Sequence, residues 1–166
     1  MKLKVLFIAF IVTSITTQAN NDLNAMRKEL NLAAEHEHIA QSFYNQMSLI
    51  NNSSPPILIG FKAISILIMG KHAFNPYTKL KHFYKGKEML DKAIEMETNL
   101  ELYFLRFAVQ TNIPSFLPYT GDIENDKTYI FLNLEKSKDK DLINRIILYL
   151  SETKYCSDAE LKQLLQ

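Results

Sequence analysis

Imidazole, thiolate and carboxylate are the groups that hold transition metals, and this 166-residue chain carries four His and one Cys. The run Glu35-His36-Glu37-His38 invites a zinc or copper reading. On a continuous helix, where each residue advances roughly 100°, His36 and His38 point about 200° apart and cannot share an ion, so a solvated helix face is the better reading. His72 and His82 fall at the end of one expected helix and the start of the next and can approach, but no third ligand is in view. No metal and no cofactor is therefore expected. Cys156 reads as a partly buried small residue. Hydrolytic chemistry needs a nucleophile, a base and an orienting group brought together. The sequence has no Gly-x-Ser-x-Gly, no His-Glu-x-x-His and no glycine-rich phosphate loop, so no catalytic residue is assigned.

Two other groupings could bind rather than catalyse. Between Lys62 and Lys87 there are six lysines (62, 71, 79, 81, 85 and 87) and no acid. Mixed with Phe74, Tyr77, His82 and Tyr84, they form either a basic, aromatic face for an anionic partner, such as a peptide carboxylate or a lipid headgroup, or a solvated turn facing the acids Glu88 to Glu101. As a contact surface the candidates are Lys71, Lys79, Lys81 and Lys85 with Tyr77 and His82. In the stretch ELYFLRFAVQTNIPSFLPYTG, Arg106 lies among apolar neighbours, and a buried guanidinium is tolerated only when paired. Asp122, Glu124 or Asp126 is the expected partner, because the loop from Pro114 to Gly121 turns the chain back beside this helix. Gln110, Thr111 and Asn112 would then satisfy backbone groups left open where the helix ends. The alternative is a ligand site built from Arg106, Gln110 and Asn112.

These residues need helices to place them. No Gly or Pro occurs between Asp22 and Ile50, and Leu23, Met26, Leu30, Ala33, Ala34, Phe43, Met47 and Ile50 recur at helical spacing, which predicts one long amphipathic helix. NNSSPP breaks the chain, with Ser54 as cap and Pro55 or Pro56 in the first turn of a second helix to about Phe74. That helix is apolar on nearly every side and belongs in the middle of a bundle. A third runs to Asn99, expected to end it in the left-handed conformation. A fourth spans Leu100 to about Asn112 and is stopped by Pro114 and Pro118. A fifth runs from Gly121-Asp122 through Glu135, a sixth includes DKDLINRIILYL, and Ser157 to Glu160 form a capping box for a short final helix.

Composition bounds the rest. A chain of this length supports one domain with a real core. Four Gly, five Pro, no Trp and 47% apolar residues favour an all-helical fold. Lys2 and Lys4 precede an apolar run from Val5 to Ile15, then small and polar residues to Ala19, the layout of a secretory signal peptide. The run is shorter than the roughly 20 residues a membrane span requires. Residues 1–19 are thus expected to be removed, leaving a single soluble helical domain, 20–166, exported to the periplasm or outside the cell. Its lysine-, asparagine- and isoleucine-rich composition suits an AT-rich bacterial genome. Removing Lys2 and Lys4 leaves 17 basic against 18 acidic side chains, a net charge of −1. Such a balance does not suggest nucleic acid. One cysteine cannot make an internal disulfide, so packing alone must support an exported life.

The segment GKEMLDKAIEMETNLELYFLRFA resembles the junction between two tetratricopeptide repeats: small Gly86 and Ala93 seven apart, Ile94, acidic Glu95 and Glu97, a turn at Thr98-Asn99, then Phe104 and Phe107-Ala108. The resemblance implies an all-α stack of antiparallel helix hairpins, irregular and about six helices long. The chain also resembles an uncharacterised family of exported bacterial helical proteins, most clearly in LRFAVQTNIPSFL, which implies no particular activity. The function expected is a non-catalytic binding or scaffold module of the cell envelope with a protein or peptide partner, and without a membrane span once the signal is removed. The alternative is an enzyme, or an enzyme accessory, acting on an envelope polymer.

Overall fold

The computed structural model describes residues 22–164, which are all-helical: eight helices and no strand. The expected signal peptide, residues 1–19, lies outside the described residues. Instead of one long N-terminal helix there are two, α1 (residues 22–35) and α2 (Glu37–Met47), separated at His36, whose backbone is extended (φ −123°, ψ 118°). The break opens carbonyls that a continuous helix would use internally. Ala33 and Ala34 instead accept from His72 Nε2 at 2.8 Å and Lys71 Nζ at 2.7 Å, so side chains from another helix close the end of α1.

α3 (Pro56–His72) opens with Pro56 where a missing N–H costs nothing. Ser54 does not cap it as expected. Pro55 holds the cap position and supplies the first accepting carbonyl, while Ser54 Oγ accepts from the Asn51 N–H within the preceding turn. Buried on most of its sides, α3 is the central helix. Of its two lysines, Lys71 closes the end of α1 and Lys62 reaches out to the Ser48 and Ile50 carbonyls at the end of α2. α4 (Pro76–Met96) returns antiparallel after a three-residue connection, capped by Asn75, whose side chain accepts from the Tyr77 N–H at 2.8 Å. The α3–α4 pair packs closely because Gly86 has no side chain. A Cβ there would stand 2.6 Å from Leu67 Cγ and 2.9 Å from the Ala63 carbonyl oxygen.

α5 (Leu100–Asn112) begins at Asn99, which is extended (φ −134°) and caps it by accepting from the Glu101 N–H. Asn99 does not end α4 in a left-handed conformation; α4 has already stopped at Met96, and no described non-glycine residue has positive φ. The proline-bearing connection then leads to α6 (Ile123–Leu134), α7 (Lys140–Glu152) and the short α8 (Asp158–Leu164). Asp139 caps α7 through the Leu142 N–H. Ser157 and Glu160 exchange hydrogen bonds as a capping box at the start of α8. With the short final helix that the capping box predicted, the break at His36 brings the described helices to eight where about six were expected.

Two apolar clusters share α5. Leu102 and Leu105 join Phe43, Phe61, Ile64 and Leu90 in the first, built from α1 to α5. Phe107 joins Ile130, Leu134, Ile146 and Leu150 in the second, built from α5 to α8. Tyr103 touches both, so α5 is the helix through which the two halves are packed together.

Candidate functional site

The basic run between Lys62 and Lys87 divides in the folded chain. Lys62 and Lys71 close the C-terminal ends of α2 and α1, where cations also meet the negative end of the helix dipole. Lys87 pairs with Asp91 at 2.9 Å and lies over the Tyr119 ring, 4.6 Å from its centre. Lys79, Lys81 and Lys85 are exposed and make no ion pair among the described residues. They sit at the α3–α4 apex, where Phe74 is wholly exposed and Tyr77 is 76% exposed. On α4, Tyr77, Lys81, Tyr84 and Lys85 fall on one outer face by helical spacing, opposite buried Phe83, Gly86 and Leu90. His82 turns partly inward, its ring meeting Tyr44 edge-on at 6.5 Å. Burial holds its imidazole below the ordinary value, and the charges of Lys85 and Lys81 push it further the same way.

Arg106 is placed against Asp126: Nε donates to Oδ2 at 2.9 Å and Nη2 to Oδ1 at 2.6 Å, a bidentate pair. Asp126 is fully buried and also accepts from Gln110 Nε2 at 3.0 Å. Burial raises the pKa of this carboxyl and the arginine pulls against that rise, while Arg106, despite its own burial, is held above its ordinary value by Asp126. Asp122 stands 3.8 Å from Nη1, at the edge of the pair, and Glu124 belongs elsewhere, 3.0 Å from Lys127. Gln110 Oε1 accepts from the Asp122 N–H, which ties the start of α6 to α5. Thr111 Oγ1 and Asn112 Nδ2 donate to the Phe107 and Ala108 carbonyls and meet the Tyr149 hydroxyl. Arg106, Gln110 and Asn112 therefore do not converge. Gln110 faces α6 and Asn112 faces α7, so these three do not form one ligand site.

A cleft of about 550 Å³ lies beside Arg106 between α4, α5 and the proline loop. Its walls include Asp91, Glu95 and Asp122 against Lys87 and Arg106. Two of the three acids are engaged: Asp91 takes Lys87 and also the Tyr119 hydroxyl at 2.5 Å, and Asp122 stands against Arg106. Tyr119 is raised above its ordinary value by burial and by that bond.

The largest polar feature was not singled out from the sequence. Arg27, 4% exposed, donates to both oxygens of buried Glu101 at 2.6 and 2.8 Å, to Asp139 at 2.8 Å and to Asp141 at 3.2 Å. One guanidinium thus ties α1 to α5 and to the start of α7. Burial alone would raise the Asp139 carboxyl, but the Arg27 hydrogen bond and the Leu142 N–H hold it below the ordinary range. Arg145 leads in holding Asp141 down. A signal was present: Arg27 lies on the same face as Leu23, Met26 and Leu30, all of which pack against the first cluster. No described buried side-chain nitrogen or oxygen lacks a partner, so this interior is polar but satisfied.

His36 and His38 do not diverge as a continuous helix would require. The break places their rings 6.0 Å apart. Even so, no three metal-binding side chains gather among the described residues. His72 is engaged with Ala33 and His82 with Tyr44. Among the described residues no helix is long and apolar enough to cross a membrane. Neither protein families, nor curated proteins, nor solved structures yield a match to this chain.

Proposed function

We propose that this chain is a non-catalytic binding module of the bacterial cell envelope, exported by its N-terminal segment, in which an irregular stack of helix hairpins presents the α3–α4 apex to an anionic partner. One observation carries the reading: at the apex Lys79, Lys81 and Lys85 make no ion pair among the described residues, and Lys81 and Lys85 share an outer face of α4 with exposed Tyr77 and Tyr84 while Phe74 projects from the turn. Exposed like charges repel and exposed aromatics gain nothing from water, so the arrangement favours a partner that neutralises one and covers the other. The tetratricopeptide-like reading fits the close α3–α4 hairpin at Gly86, where two helices meet as such hairpins do.

The test reverses Lys79, Lys81 and Lys85 to Glu and leaves Lys71 in place, since Lys71 closes α1. Exposed charges contribute little to stability, so the melting temperature should hardly move. Capture of the chain by an envelope fraction should fall, and wild-type capture should weaken as salt is added. Equal capture of the variant at low salt would overturn the reading. Turnover of an envelope polymer by the purified chain would replace it with the enzymatic alternative.

A further inference from the structure

We infer that the α3–α4 apex is a membrane-docking tip, with Phe74 and Tyr77 entering the headgroup boundary of an anionic lipid leaflet while Lys79, Lys81 and Lys85 meet its phosphates. This rests on the reading above that the apex binds an anionic partner, and it names that partner's chemistry. A peptide partner is best held in a groove, where its side chains are surrounded. The apex offers the reverse. Phe74 is wholly outside the fold, and Tyr77, Tyr84 and Leu80 follow it at 76%, 53% and 40% exposure. Neither the cleft beside Arg106 nor the one between Asn52 and Met96, which Lys85 borders, is lined by Phe74, Tyr77, Leu80 or Tyr84. A projecting aromatic fits a surface that yields to it, and the lipid headgroup boundary is such a surface.

The apex is also held rigid. The Ala73 N–H donates to the Met69 carbonyl on one side, and Asn75 accepts from the Tyr77 N–H on the other, so Phe74 sits on a short connection fixed at both ends. Tyr77 and Tyr84, apolar in body and polar at the tip, are side chains suited to an interface. Lysines suit the same place, because long stems lie along apolar surface while the ammonium stays with the phosphates. Near an anionic leaflet each is worth about fivefold in affinity, an effect that salt removes. Glu88, one turn beyond Lys85, ends the basic run. The contact is thereby confined to the connection and the first three turns of α4.

The chain has no tryptophan, so Phe74→Trp places a single fluorophore at the apex. Full exposure of Phe74 means that this change leaves the melting temperature unaltered. Vesicles of phosphatidylcholine containing phosphatidylglycerol should shift the emission to the blue, and brominated acyl chains should quench it. Vesicles of phosphatidylcholine alone should do neither. Reversing Lys79, Lys81 and Lys85 to Glu in the same chain should abolish the shift, and Tyr77→Ala should weaken the partition by about tenfold. Residues 1–19 are common to every variant and cancel in the comparison. Emission unchanged on anionic vesicles would overturn the inference. If the lysine reversal still abolished capture by a delipidated envelope fraction, the lipid partner would be wrong and the anionic-partner reading would survive. If the reversal changed neither capture nor emission, both would fall.

Discussion

Arg27 and Arg106 illustrate what a buried charge demands. Each guanidinium is largely withdrawn from water, and each is matched by a carboxylate that is itself buried, Glu101 in one case and Asp126 in the other. Removing one partner strands the other, which costs about 3–5 kcal/mol. Arg27→Met should therefore lower stability in urea unfolding by roughly that amount, and Glu101→Gln in the same chain should restore a large part of it. Arg106→Met and Asp126→Asn should behave in the same way, with the double variant more stable than the arginine variant alone. A double variant no better than the single would show that packing, and not charge pairing, holds these sites. Arg106 was legible because a lone arginine on an apolar helix stands just before a loop that returns acids to it. Arg27 lay on an equally apolar face, but its partners are 74, 112 and 114 residues away, and nothing local names them. At the apex, His82 reports on Lys81 and Lys85. Reversing the two lysines to Glu should raise its pKa in an NMR titration, since both charges now depress it.

At the scale of the element, close approach and capping decide where helices meet and stop. The α3–α4 contact at Gly86 has the Ala63 backbone carbonyl only 2.9 Å from where a Cβ would sit, and a backbone cannot step aside as a side chain can. Gly86→Ala gains helix propensity of about 1 kcal/mol. Overpacking costs about 1–3 kcal/mol, so a net loss on thermal unfolding is expected. The small residue at position 86 was readable from its spacing to Ala93. The break at His36 was not, for neither glycine nor proline marks it. Its compensation comes from Lys71 and His72, which are remote in sequence. α8 depends on its capping box. Hydrogen bonds from Ser157 and the nearby Lys127 lower the Glu160 carboxyl from 4.5 to about 2. A depressed carboxyl contributes stability above its unfolded value and loses it as pH falls through the folded one. Protection of the α8 amides, relative to their intrinsic exchange rates, should therefore fall between pH 4.5 and about 2, modestly because the group is part-exposed, and Glu160→Gln should remove that dependence.

For the whole molecule, two clusters joined through α5 pack the described helices with their buried polar side chains satisfied, and the α3–α4 apex carries exposed Phe74, Tyr77 and Tyr84 together with exposed Lys79, Lys81 and Lys85. All-helical architecture followed from scarce Gly and Pro and from apolar spacing, which are local properties. Which lysines would be free did not follow. The six lysines from 62 to 87 look alike in sequence, and only folding brings the ends of α1 and α2 to Lys71 and Lys62 and leaves Lys79, Lys81 and Lys85 to solvent. We propose that the apex is the contact surface. Hydrogen exchange of the chain, with and without an envelope fraction, maps the surface that a partner covers. Protection is expected over residues 73–85, at the turn and the first turns of α4. Protection over the cleft beside Arg106 and Tyr119, with the apex unchanged, would contradict it.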